Sequence, residues 1–145
     1  MSEKQETIVR RVLEEVWNKG KLDAVDELFT TDYVNNDPVN QTRGRAAYKE
    51  VVNKYRTALP DVRLDIDDVF SSGDKVVVRW RFSGTHKGQL EGIRPTGRHV
   101  NGSGISINLL SGDRIREAFV NWDALGFMQP LGVVTLPGKT MGAGA

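Results

Sequence analysis

The chain has 145 residues, no cysteine, two histidines and a formal net charge of +1. This length suits one domain with its own core, and 39% hydrophobic and 27% charged residues indicate a soluble globular protein. The near-zero net charge provides no basic field for a nucleic-acid backbone, and the absence of cysteine excludes disulfides, thiolate nucleophiles and cysteine metal sites. The charged N-terminus lacks the apolar segment of a signal peptide, and no run reaches the ~18 apolar residues of a membrane span. We therefore expect a cytoplasmic protein that binds neither nucleic acid nor membrane.

Helices are predicted in the first part of the chain. Apolar residues recur at helical spacing from Ile8 to Trp17, with charged residues between them. A second, short helix is predicted over residues 22–29, and a third over residues 45–58, where a proline follows closely. The segment between the second and third helices is predicted to be a loop, with a short strand around Tyr33 and Val34.

Strands dominate the second half. Period-two alternation recurs in four segments, which are residues 62–70, 75–86, 99–110 and 115–125. A phase slip at Asp67 and Asp68 in the first of them predicts a bulge. Helices followed by antiparallel strands indicate an α+β fold, with the helices packed on one side of a curved sheet.

One domain is predicted over residues 1–132. A short helix starting near Ala124 is expected to close it. The remaining residues, 133–145, are rich in glycine and are predicted to form a mobile tail, and deletion of residues 134–145 is expected to leave melting behaviour nearly unchanged.

Four segments resemble one protein family in the right order. They are NKGKLDAVDELFTTDYVNNDP, RGRAAYKEVVNKYRTALPDVRLDIDDV, GDKVVVRWRFSGTHKG and FVNWDALGFMQPLG. Over residues 5–132 the chain is similar to the SnoaL-like polyketide cyclases, which belong to the NTF2-like superfamily with ketosteroid isomerases and limonene-epoxide hydrolases. The resemblance implies a cone-shaped barrel, in which N-terminal helices pack on a strongly curved, mixed and mainly antiparallel sheet. It also implies an interior pocket and, often, a homodimer.

The resemblance also implies an activity. In such cyclases a pocket aspartate is the acid/base of an intramolecular aldol closure, and the matching residue here is Asp123. The implied ligand is a small apolar molecule, with a polyketide as the named example. Many relatives have histidine where this chain has Asn36, so a base that titrates near neutral pH is missing at that position.

Two interpretations of Asp123 follow from its neighbours. Alternation in the last strand places Phe119, Asn121 and Asp123 on one face, which we predict to line the pocket. Apolar walls would make the Asp123 carboxylate a better base near neutral pH. Alternatively, Asp123 caps the terminal helix that begins at Ala124, a position that favours aspartate.

Three further polar side chains are candidate pocket residues, and two of them have a second interpretation. Asn121 is predicted to donate to a developing enolate oxygen, or else it is an ordinary strand amide. Tyr33 and Asn36 are predicted to line the mouth of the pocket, while asparagine in this segment also fits a role in turn geometry.

The central strand provides candidate wall residues. Trp80 and Phe82 are predicted to belong to the pocket wall or to the core, and His86 either reaches the pocket rim or is structural. Two histidines without a suitable carboxylate spacing do not make a zinc site, and no phosphate-cradling loop is present, so we expect neither metal nor cofactor. A homodimer is predicted, through the face that carries Val120 and Trp122.

The sequence is compatible with three classes of function. The first is a polyketide cyclase-type enzyme, or an isomerase or epoxide hydrolase of the same fold. The second is a non-catalytic protein that binds a small hydrophobic ligand in the same pocket. The third is a structural dimer whose cone is filled by side chains, and it predicts that no cavity exists.

Overall fold

Helices cover one face of a sheet in the computed structural model, which describes residues 2–134 and residue 137. The α-helices are α1 (Ser2–Arg11), α2 (Asp23–Leu28), α3 (Arg45–Ala58) and α4 (Ala124–Met128). A π-helix, Val12–Asn18, extends α1, and a 3-10 helix, Gln129–Leu131, follows α4. The bounds of α3 are those that the apolar periodicity predicts.

The π-helix differs from the predicted regular α-helix at the N-terminus. Its wider turns bury Val12, Leu13 and Val16, so that three of its apolar side chains reach the core. Short π-helical segments are uncommon and frequently occur at functional sites. Here the segment contains Trp17, which contacts α3 through its indole N–H.

Six strands form one mixed sheet. They are β1 (Phe29–Asn36), β2 (Thr42–Arg43), β3 (Arg63–Ser72), β4 (Lys75–Thr85), β5 (His99–Ser111) and β6 (Arg114–Trp122). The order across the sheet is β2-β1-β6-β5-β4-β3, and β1 runs parallel to β6 while all other neighbours are antiparallel. The predicted α+β class with a mixed, mainly antiparallel sheet is confirmed, although the sheet does not close into a complete barrel.

Strand β1 is much longer than the short strand predicted around Tyr33. It covers eight residues, and Phe29, Tyr33 and Asn35 are its buried positions. The pairing of β1 with β6 joins segments about eighty residues apart, for example Asn35 with Ala118. Because local alternation is weak in this segment, the full length of the strand is defined by its partners, mainly the distant β6 and, at its end, the short β2.

The predicted bulge in β3 is confirmed, since the pairing with β4 shifts register between Ile66 and Asp68. The Asp67 carboxylate accepts hydrogen bonds from the Arg81 guanidinium at 2.8 and 2.9 Å, and Arg79 lies 3.5 Å away. The two arginines therefore lie on the outer face of the sheet, away from the helices.

Two glycines let aromatic rings lie flat against the inner face of β5. Gly104 is paired with Trp80 on one side and with Trp122 on the other, and a Cβ at this position would overlap both side chains. A Cβ at Gly102 would overlap the ring of Phe82 in the same way. The glycines thus create the room that the large inner side chains require.

The outer face of the sheet carries an apolar row across four strands. Phe70, Val77, Ile107 and Phe119 follow one another in register, and Ile105 lies beside them. Apart from the half-buried Val77, these side chains are 39–54% exposed. We call these five residues the outer apolar row.

The predicted dimer surface on Val120 and Trp122 is wrong. Both side chains are half-buried and line an interior cavity, because β6 turns this face toward the helices. The exposed apolar surface belongs to the opposite face of the sheet.

The predicted mobile tail, residues 133–145, lies almost entirely outside the described residues. Within the described part of the chain, no helix is long and apolar enough to cross a membrane.

Candidate functional site

A cavity of about 120 Å³ lies between the helices and the inner face of the sheet. It is slightly smaller than the ~150 Å³ engineered apolar cavity that binds benzene. Most of its wall is apolar, with side chains from α1, the π-helix, α3 and five of the six strands. A cone filled by its own side chains, the third interpretation of the sequence, is therefore contradicted.

Among the described residues, Asp37 supplies the only carboxylate in this wall. The residue follows β1 and is half-buried. Its Oδ1 atom accepts three N–H hydrogen bonds, from the Trp122 indole at 3.0 Å and from the backbone amides of Val39 and Asn40 at 2.9 and 3.1 Å. Oδ2 accepts none from the described residues. One carboxylate oxygen thus holds the turn and the tryptophan, while the other is available to a ligand.

Asn40 connects Asp37 to helix α3. Its side-chain amide donates to Tyr55 Oη at 3.0 Å, and its Oδ1 accepts from Lys54 Nζ at 2.9 Å. Lys54 also forms an ion pair at 2.6 Å with Glu91, in the loop between β4 and β5. These contacts fix the loop around Asp37 against α3 and the loop that follows β4.

A cluster of aromatic rings forms another part of the wall. Tyr48 packs against Phe29, Tyr33 and Trp17, with ring centroids 5.0, 5.4 and 6.4 Å away, respectively. Burial raises the pKa of Tyr48 to about 12 and holds the pKa of Tyr33 well above its usual value. Both phenols are therefore neutral and remain hydrogen-bond donors over the physiological pH range.

The sheet contributes further polar groups to the cavity wall. Ser106 Oγ accepts a hydrogen bond of 2.9 Å from the Trp80 indole. The Asn108 side-chain amide donates to the Val76 carbonyl oxygen at 3.3 Å. Since Ser106 and Asn108 are both buried, their remaining hydrogen-bonding groups can be used only within the protein or by a ligand.

A sequence profile of the SnoaL-like polyketide cyclases matches residues 7–131. The chain belongs to this family. The profile covers nearly all of the described residues, in agreement with the similarity of residues 5–132 to these cyclases.

The chain is also similar to individual proteins over most of its length. Aklanonic acid methyl ester cyclase DnrD from Streptomyces peucetius is 29% identical over 130 residues, which are 86% of this chain and 88% of that protein. The structure of a candidate polyketide cyclase from Acidithiobacillus ferrooxidans has a TM-score of 0.80 and 32% identity, and covers 88% of this chain and 94% of its own. TsrD from Streptomyces laurentii has a TM-score of 0.82 and 25% identity, over 91% and 97% of the two chains.

Three of the predicted site residues lie in the wall of the SnoaL-like cavity. Tyr33, Trp80 and Phe82 all line it. The phase predicted for β4 is confirmed, because Val76 and Val78 are buried on the same inner face.

The predicted pocket face of β6 is wrong. Phe119, Asn121 and Asp123 are exposed and lie outside the cavity wall. Asp123 is the N-cap of α4, where its Oδ1 accepts a hydrogen bond of 2.8 Å from the Gly126 amide. The structure therefore places this aspartate in the capping position, the alternative that the sequence left open.

Asn36 and His86 also lie outside the wall. The Asn36 amide donates to Glu117 and to the Ala118 carbonyl oxygen, each at 3.0 Å, which attaches the end of β1 to β6. His86 is fully buried, and its Nδ1 contacts the Thr96 hydroxyl at 3.0 Å and accepts from the Thr96 amide at 3.2 Å. It fixes the loop after β4 and does not reach the pocket rim.

Sequence reasoning missed several polar residues of the cavity. The most important are Asp37, Asn40, Tyr48 and Ser106. In the sequence, Tyr48 is one of several apolar positions at helical spacing within residues 45–58, which indicates a core residue and no polar role. For Asp37 the sequence signal was the Asp-Pro step in a segment similar to the family, which does not show that the carboxylate returns to the cavity.

Among the described residues, no group of three or more histidine, aspartate or glutamate side chains is arranged to hold a metal ion.

Proposed function

We propose that the chain is a cofactor-independent cyclase-type enzyme, which catalyses an intramolecular aldol cyclisation of an apolar carbonyl compound. The observation that carries the proposal is a single carboxylate, Asp37, in an otherwise largely apolar cavity wall. A carboxylate in the wall of a pocket can act as the general base that takes a proton from a carbon next to a carbonyl group, provided that the bound ligand places this carbon within hydrogen-bonding reach of it.

Each oxygen of Asp37 has a separate role in this proposal. Oδ1 is held by the indole of Trp122 and by two backbone amides, so the carboxylate has a fixed orientation. Oδ2 removes the proton from the carbon next to a carbonyl group, and the resulting enolate carbon attacks a second carbonyl of the same molecule. The alkoxide formed in this step then takes the proton back from Asp37, so the reaction requires no external oxidant or reductant.

Asp123 is the competing acid/base, because it occupies the position that the family resemblance assigns to that role. The same Asp-to-Asn substitution at the two positions separates the alternatives. It keeps the size and most hydrogen-bonding capacity of the side chain while removing the basic oxygen. Asparagine is also nearly as good as aspartate at a helix N-cap, so Asp123→Asn leaves α4 intact.

The assay uses aklanonic acid methyl ester, the compound in the name of the DnrD relative, and also 2,6-heptanedione, a dione whose size matches the cavity and which can close by an intramolecular aldol reaction. We expect Asp37→Asn to lower turnover by ~10²–10⁴-fold, the usual contribution of general acid–base catalysis. Asp123→Asn is expected to retain turnover within a few-fold. The measurement is the initial rate of product formation for the two variants and the wild type.

The reverse result assigns the acid/base to Asp123 and contradicts the role of Asp37. If the wild type binds this ester without converting it, and no related methyl ester is converted, the cavity belongs to a non-catalytic ligand-binding protein. The largely apolar cavity also supports this second function, which is ligand binding without catalysis and requires no base.

We further propose that a second copy of the chain covers the outer apolar row. Exposed apolar patches that extend over several strands mark interaction surfaces, and closed two-fold dimers are the commonest assembly.

Phe119→Arg places a charge at this surface without touching the cavity wall. We expect light scattering to give a dimer mass for the wild type and a monomer mass for Phe119→Arg. A wild-type monomer at micromolar concentration would contradict the dimer.

A further inference from the structure

The hydroxyl group of Tyr48 has an unusual hydrogen-bonding arrangement inside the cavity wall. Its oxygen accepts a hydrogen bond of 2.9 Å from the indole N–H of Trp17. An indole N–H can only donate, so this contact does not use the hydroxyl proton of Tyr48. Among the described residues, no acceptor lies within hydrogen-bonding reach of that proton. Tyr48 therefore presents a donor without an acceptor, although its side chain is 93% buried.

Two other hydroxyl groups in the wall are held in the same way. Tyr55 Oη accepts from the Asn40 amide at 3.0 Å, and Ser106 Oγ accepts from the Trp80 indole at 2.9 Å. In each case the donor comes from the protein and the hydroxyl proton is left over in the described part of the chain. The wall thus has a surplus of O–H donors, and a ligand with acceptor oxygens would satisfy them.

The hydroxyl group of Tyr33 has the opposite hydrogen-bond direction, so Tyr33 can serve as a reference for Tyr48. Its hydroxyl donates to Asn35 Oδ1 at 3.2 Å, so its proton already has an acceptor within the protein. Tyr33 and Tyr48 are both buried, both line the cavity, and their rings are 5.4 Å apart in an edge-to-face arrangement. The two phenols therefore differ mainly in the direction of their hydrogen bonds.

We propose that the Tyr48 hydroxyl is the donor that binds a carbonyl oxygen of the ligand in this cavity. The inference rests on the proposed function in that it takes the ligand to be a carbonyl compound. The hydrogen bond from Trp17 withdraws electron density from the Tyr48 oxygen, which strengthens the donor toward a ligand. A donor at this position would also hold the negative charge that develops on a carbonyl oxygen when a neighbouring carbon loses its proton.

The experiment measures binding and requires no turnover. The probes are acetophenone and α-methylstyrene, which have nearly the same shape but differ in having C=O or C=CH₂. We expect wild-type protein to bind acetophenone about two- to tenfold more tightly, the ratio that one neutral hydrogen bond supplies. Affinities are measured by titration calorimetry or by NMR shifts of the protein.

Two tyrosine variants make the test specific to one hydroxyl group. Tyr48→Phe is expected to remove the preference for acetophenone while α-methylstyrene still binds. Tyr33→Phe is the matched control, because it removes a hydroxyl from the same wall whose proton is not available to a ligand, and it should retain the preference. An unchanged preference in Tyr48→Phe, or an equal loss in both variants, would overturn the proposal.

A measurement on the wild type covers the case in which Tyr48→Phe does not fold. The infrared carbonyl stretch of bound acetophenone should move to lower frequency than in an alkane solvent, since a hydrogen bond weakens the C=O bond. An alkane-like frequency contradicts the proposal. If both probes bind with equal affinity, the proposed role of Tyr48 is overturned and the ligand-binding cavity is not. If neither probe binds, the result contradicts both the role of Tyr48 and a ligand-binding cavity. The turnover of Asp37→Asn is a separate measurement and does not affect these outcomes.

Discussion

Strand β6 carries large apolar side chains on both of its faces, and the two faces have different surroundings. On the inner face, Trp122 packs against rings from α3, β4 and α4 and donates to Asp37. On the outer face, Phe119 belongs to the outer apolar row and is 45% exposed. The difference shows that apolar character alone does not identify the side of a strand that faces the core.

The same contrast applies to two aspartates. Asp37 and Asp123 each accept backbone N–H bonds that hold a local turn. Asp37 belongs to the cavity wall, and its Oδ2 accepts no hydrogen bond from the described residues, whereas the Asp123 side chain is exposed to solvent. Two aspartates that both hold a turn through backbone N–H bonds can therefore differ in their access to a ligand, because one lines the cavity and the other faces solvent.

The largest effect that separates the two faces is expected from a matched pair of phenylalanines. Phe82 is 91% buried on the inner face, and its ring lies 5.5 Å from Phe127 and 6.0 Å from Trp122. Phe82→Ala should lower the free energy of unfolding by ~3–5 kcal/mol, because it removes buried area and enlarges the cavity. Phe119→Ala should lower it by less than about 1 kcal/mol in the monomer.

Urea unfolding of both variants at a dilution that keeps them monomeric checks this prediction. Equal losses at the two positions would mean that the outer face is part of the core of a single chain. The contrast between the faces would then not hold.

A smaller effect is expected at alkaline pH. The chain has three tyrosines, and all of them line the cavity, where burial raises each pKa above the usual value of 10.0. A raised folded-state pKa means that the stabilisation is complete below the unfolded-state value and is lost as pH rises through the folded-state value. Stability should therefore fall from about pH 10 upward, and for Tyr48 the shift to about 12 corresponds to ~2–3 kcal/mol.

Phenolate absorbance and circular dichroism, followed over the same pH series, test this expectation. We expect little phenolate signal near pH 10 in the folded chain, and a joint change in both signals at higher pH. A tyrosine that titrates at its usual value while the fold persists would show that the inner face is open to water.

The sequence was sufficient to predict elements that are defined by local periodicity. The apolar stripe of α3 gives its bounds, and alternation in β4 gives the correct inner face for Trp80 and Phe82. The outer residues of β4 near this point include Arg79 and Arg81, so the two faces differ clearly in polarity. The bulge in β3 is visible as a break in the same kind of pattern.

The remaining features depend on contacts between distant parts of the chain. In β6, Phe119 lies on one face and Val120 and Trp122 lie on the other. Both faces therefore carry apolar side chains, and the alternation does not show which of them is turned toward the core. The position of Asp37 depends on Trp122, a residue 85 positions later, and the strand character of β1 depends on its pairing with β6. The available donor of Tyr48 is likewise defined by Trp17, from a different helix.

The cavity between the helices and the sheet affects the stability of the chain under hydrostatic pressure, because it contributes to the volume change of unfolding. A cavity of about 120 Å³ corresponds to roughly 70 mL per mole of protein, which lies within the ~20–100 mL/mol by which unfolding commonly reduces volume. Because hydrostatic pressure favours the state of smaller volume, space of this kind between side chains lowers the pressure resistance of a folded chain relative to a closely packed core. A ligand that binds only the folded state occupies this space, so it stabilises the chain against pressure as well as against heat.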